Sequence, residues 1–104
     1  MRAELLWWAG CPSTERAREL LAEALEGNGL DPAAIEMREI TSDEDAEHEG
    51  FSGSPTIRLN GVEVAPEPGE PVSLTCRVYR TRDGRVSPVP DPEDIEQAIK
   101  EAME

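Results

Sequence analysis

This 104-residue chain has little cysteine, lysine or histidine and no long apolar run. Its two cysteines, Cys11 and Cys76, are too few for a disulfide-stapled secreted scaffold. In a reducing compartment such residues are either buried small hydrophobes or reactive thiols, and the reading of the chain turns on that choice. Ten basic residues stand against 23 acidic ones, a net charge of −13, and Lys100 is the single lysine. A field of that sign repels phosphate backbones and anionic lipid, which argues against generic nucleic-acid or membrane binding. The single histidine, His48, has no partner at metal-ligand spacing and reads as a surface residue, so no metal site is expected. No apolar run approaches the roughly 20 residues that span a bilayer. Residues 1–8 contain Glu4 and too short an apolar stretch for a signal peptide, which makes a cytoplasmic location the default expectation.

The composition that remains, 38% hydrophobic and 32% charged, is that of one small folded domain with one core to fill. Leu5, Leu6, Trp7 and Trp8, ended by Gly10, predict a strand buried on both faces and therefore central in a sheet. Ala17, Leu20, Leu21, Ala24 and Leu25 fall on one helical face, and Gly27-Asn28-Gly29 closes that helix. Residues 34–41 read as a second strand. Ser42 then caps a short acidic helix ending by Gly50. Residues 56–59 and 62–64 alternate around Asn60-Gly61, the signature of a hairpin. Residues 65–71, with Pro66, Pro68, Gly69 and Pro71, are loop in composition. Residues 75–79 and 85–89 flank Asp83-Gly84 and predict a second hairpin. Asp91-Pro92 opens a last helix whose apolar face is Ile95, Ala98, Ile99, Ala102 and Met103. The expected class is α/β: a parallel pair joined by a helical crossover, an antiparallel hairpin and a closing helix, giving a mixed four-stranded sheet flanked by helices on both faces.

Two motifs within that order resemble the thioredoxin-like superfamily. Cys11-Pro12-Ser13-Thr14 follows the central strand, and Gly53-Ser54-Pro55-Thr56-Ile57 is similar to the loop that precedes the third strand in thioredoxins and glutaredoxins. The resemblance covers residues 4–64 and the last helix. It implies a thioredoxin-like fold over a single domain, residues 1–104, with an atypical loop and hairpin insertion at about 65–89. It implies a cis Ser54–Pro55 peptide facing Cys11, and a substrate platform made by Pro12, Ser13, Ser54, Pro55 and Thr56. Two departures stand out. Thr14 occupies the place of the family's second cysteine, and Gly10 stands where thioredoxins carry tryptophan. The site therefore resembles the monothiol branch.

The residues allow a matching chemistry. A thiolate attacks a disulfide, and a cysteine at a helix N-terminus has its pKa lowered from about 8.5 towards 7. Cys11 fits that description, and Thr14 is placed one turn on to donate its hydroxyl. Cys76 reads either as a strand residue beside Leu74 and Val78 or as a resolving thiol for a mixed disulfide on Cys11. Arg77, Arg80, Arg82 and Arg85 read as a solvated face paired with local acids. Alternatively, Arg77 with Arg80 docks carboxylates such as those of glutathione. Trp7 and Trp8 are expected in the core. The first function expected is thiol–disulfide exchange with protein or glutathione disulfides by a monomer. Glutathione would serve as a co-substrate, and no bound cofactor is required. Two alternatives remain: a non-catalytic module binding a protein through the same groove, and a soft-metal protein in which Cys11 and Cys76 hold a cation such as Hg²⁺ or Cu⁺.

Overall fold

A computed structural model describes residues 1–67 and 69–104; Pro68, one of the prolines of the 65–71 loop, lies outside the described residues. The first strand, β1 (Ala3–Trp7), pairs in parallel with β2 (Ile35–Glu39) and antiparallel with β3 (Thr56–Leu59). β3 turns through Asn60-Gly61 into β4 (Val62–Glu63), which gives a mixed four-stranded sheet in the order β2-β1-β3-β4. Both turn residues take the left-handed conformation, φ 51° at Asn60 and 83° at Gly61, as a tight hairpin requires.

β1 is central because its alternating side chains enter two different cores. Leu5 packs with Ile57 and with the apolar faces of α1 (Thr14–Gly27) and α3 (Pro92–Ala102), through Ala17, Leu21, Ile95 and Ile99. Leu6 points the opposite way, into a smaller core with Ile40, Phe51 and Ala46 of α2 (Asp43–Glu49). The helices thus lie on both faces of the sheet. The helix starts follow the expected chemistry: the Ser42 hydroxyl accepts from Asp45 N–H, and the Asp91 carboxylate accepts from Glu93 N–H.

Three expectations change. α1 begins at Thr14 rather than at the cysteine, with Ser13 in the cap position. The second strand is shorter than residues 34–41 and mostly exposed, because it is the sheet edge and its outer residues have nothing to pack on. The predicted second hairpin shrinks to β5 (Tyr79–Arg80) and β6 (Val86–Ser87), a separate two-stranded sheet. Residues 75–77 are lost to that hairpin because their main chain bonds elsewhere, to Ser54.

Candidate functional site

The turn after β1 is closed by Cys11 N–H donating to Trp8 O at 3.0 Å. Cys11 therefore sits two residues ahead of the helix cap, and its neighbour Pro12 is in the turn rather than in the first helical turn. The departure at Gly10 has a steric reason: a Cβ there would collide with the ring of Trp8, which lies across it. A side chain at position 10 would displace that ring.

Opposite this turn, residues 51–54 and 73–77 run side by side. Ser73 N–H donates to Phe51 O (3.1 Å), Ser54 N–H to Thr75 O (2.8 Å) and Arg77 N–H to Ser54 O (2.8 Å), so Cys76 is bridged in parallel to Ser54. The Ser54–Pro55 peptide is cis. Gly53 is required at its position. Its φ is 143°, and a Cβ would meet Arg77 Cβ at 2.9 Å, so only glycine lets the two segments touch.

Both cysteines meet at Ser54. In its protonated form Cys11 donates to Ser54 O, with Sγ 3.4 Å from the oxygen. Burial pushes the Cys11 pKa up and is the largest single influence. Against it act the Ser13 N–H, the Cys76 thiol, and the hydroxyls of Ser54 and Ser13, which together hold it below the ordinary cysteine value. Ser13 has its hydroxyl available because it makes no side-chain cap bond to the helix. Cys76 is pushed the other way, first by the hydrogen bond it gives Cys11, then by burial and the Cys11 charge. Of the two thiols, Cys11 thus has the lower pKa and Cys76 the higher.

The other residues singled out in the sequence fall in different places. The hydroxyl of Thr14 is buried with no hydrogen-bond partner among the described residues, so the thiolate contact expected of it is not formed. Thr56 is fully buried and donates to Gly53 O at 2.7 Å, which makes it a brace of its own loop. Ser54 and Pro55 are also buried, and both main-chain partners of Ser54 come from the chain's own residues 75–77. Arg77 is only 5% exposed and faces inward. Its Nη1 lies 3.2 Å from Glu63 Oε1, a charge contact without hydrogen-bond alignment; its Nη2 donates to Ala65 O, and its guanidinium covers the Tyr79 ring at 4.4 Å. It therefore offers no fork to an outside carboxylate. Arg82 and Arg85 are held by Asp94, Glu93 and Asp83, the local pairing expected of that cluster.

No family model, curated protein or solved structure matches the chain. The site stands on its own geometry. Among the described residues no group of three or more acidic, histidine or cysteine side chains is placed to hold a metal, and no helix is long and apolar enough to cross a membrane.

Sequence reasoning missed Tyr79, whose buried hydroxyl donates to Pro55 O and braces the loop from behind. In the structure residues 76–80 alternate between exposed and buried, which puts Arg77 and Tyr79 inward and Cys76 on the outer side with Val78 and Arg80. The polar Arg77 masks that alternation in the sequence. A groove of about 480 Å³ between the β3–β4 hairpin and α3 contains neither cysteine.

Proposed function

We propose that this chain is a thiol–disulfide oxidoreductase of the thioredoxin-like superfamily, working through an internal disulfide between Cys11 and Cys76. The observation that carries the reading is the convergence of both cysteines on Ser54, where the Cys11 thiol donates to Ser54 O and Cys76 is bridged to Ser54, with their pKa values shifted in opposite senses. A dithiol of this kind has one sulfur ready as thiolate and one held as the proton donor, the arrangement that thiol–disulfide exchange uses. The order of elements and the motifs at Cys11 and Pro55 support the thioredoxin-like assignment. Its Cys-x-x-Cys pair is replaced by one cysteine before α1 and one on residues 73–77. Exchange partners are protein disulfides or glutathione, the latter as co-substrate.

Mild oxidation followed by intact mass tests this directly. The expected result is the loss of two hydrogens in a monomer, abolished by Cys11→Ser or by Cys76→Ser. Two thiols that remain free after oxidation would contradict it. Stoichiometric retention of Cu⁺ or Hg²⁺ needing both cysteines, with no disulfide formed, would turn the same pair into a soft-metal site.

A further inference from the structure

We propose that Cys76, and not Cys11, is the sulfur that exchanges with outside thiols and carries the mixed disulfide, an assignment of roles that rests on the oxidoreductase reading above. The sequence alone points the other way, since Cys11 occupies the family's nucleophile position. The geometry separates the two sulfurs by access. Cys11 is 7% exposed, enclosed between Ser13, Ser54 and Cys76, whereas Cys76 is exposed. Its backbone is pinned: Ser54 bonds both of its neighbours, Thr75 and Arg77, and the Arg77 side chain is anchored inside on Glu63 and Ala65 O. Cys76 thus stays at the mouth of the site with its outer side to solvent.

Displacement at sulfur runs along the S–S axis, so the incoming thiolate approaches from the side opposite the leaving sulfur. For attack on Cys76 that side is solvent. For attack on Cys11 it is the enclosed side of the turn. An outside thiolate therefore forms a new S–S bond with Cys76 Sγ while the Cys11–Cys76 bond breaks, and the electron pair of that bond leaves on Cys11 Sγ. The donors from Ser13 and Ser54 stabilise that thiolate, and a sulfur of lower pKa leaves faster. In the second step another thiolate of the substrate attacks the substrate sulfur of the mixed disulfide. The substrate becomes a disulfide, Cys76 leaves as thiolate and takes a proton from water, and the protein ends as the dithiol, reduced by two electrons. A small-molecule or protein disulfide restores the oxidised form by the same steps in reverse: Cys76 gives its proton to water and attacks one disulfide sulfur, the other half leaves as thiolate, and the Cys11 thiolate then expels the bound half from Cys76 as the Cys11–Cys76 bond forms.

The test uses the full-length wild-type chain. The protein is oxidised, its internal disulfide is verified by intact mass, and it is mixed with limiting glutathione, quenched in acid and digested. The position of the glutathione adduct is then read by mass spectrometry. The expected result is an adduct on Cys76 exceeding that on Cys11 by about tenfold or more, as access decides which sulfur is attacked. Equal adducts, or a majority on Cys11, overturn the proposal while leaving the oxidoreductase reading intact. Failure to form the internal disulfide at all overturns the reading on which it rests.

Discussion

At Cys11, burial and hydrogen bonding pull the thiol in opposite directions, and the donors from Ser13, Cys76 and Ser54 outweigh the desolvation. Ser54 acts twice, because its Oγ also accepts Trp8 N–H at 3.0 Å. Ser54→Ala is expected to raise the pH midpoint of Cys11 alkylation and to cost about 0.5–1.5 kcal/mol for the bond to the partly buried Trp8 N–H that it removes, read by urea unfolding. Thr14→Val tests the other side. It removes a buried hydroxyl that bonds nothing among the described residues, so the midpoint should not move and stability should hold or rise. Tyr79 adds a pH dependence of its own. Burial, its largest influence, pushes the phenol pKa well above the usual value. A group raised in the folded state contributes its stability fully below the unfolded pKa, about 10, and loses it as pH rises above that. The wild type should therefore weaken on alkaline titration beyond that point. Tyr79→Phe should show a shallower decline there, from a neutral-pH stability lowered by about 1–3 kcal/mol for the lost bond to Pro55 O.

Among the elements, those carried by periodicity and caps were legible in the sequence. β1, α1, α2, the β3–β4 hairpin and α3 all follow from local patterns: a doubly apolar strand, an i, i+3, i+4 face, Ser42 and Asp91 as caps, and Asn60-Gly61. Residues 73–77 were not legible, because what fixes them is non-local. Their main chain bonds to Phe51 and Ser54, and no residue type announces such a pairing. The same holds for the thiols: Cys11 was readable as a candidate from its motif, but its meeting with Cys76 depends on that pairing. The contact between the two segments is therefore the place to perturb. Gly53→Ala forces a Cβ against Arg77 at a φ that other residues avoid, and should cost about 1–3 kcal/mol or more. It should also move Cys76 away from Cys11, measured as slower formation of the internal disulfide. Phe51→Ala empties the small core behind the same segment and should cost about 3–5 kcal/mol in denaturant unfolding.

For the molecule as a whole, two small cores on either side of one sheet hold a chain with net charge −13. The arginines offset part of this. Arg38 and Arg58 share Glu49, and Arg82 ties the β5–β6 hairpin to the start of α3 through Asp94. The excess of acid still repels itself, and going from about 0.01 to 0.15 M salt shortens the screening length from about 30 to 8 Å. Thermal stability is expected to rise over that range; a fall would mean that the ion pairs outweigh the repulsion. The central claim is narrower: Cys11 and Cys76 form one unequal couple, with the thiolate on Cys11. The direct test is alkylation of the reduced wild-type protein across pH, with each thiol followed separately by mass spectrometry. The couple predicts that Cys11 titrates at a lower pH than Cys76, however slowly its enclosed sulfur reacts. A Cys76 that titrates first, or two thiols that titrate together near 8.5 as ordinary cysteines do, would contradict it.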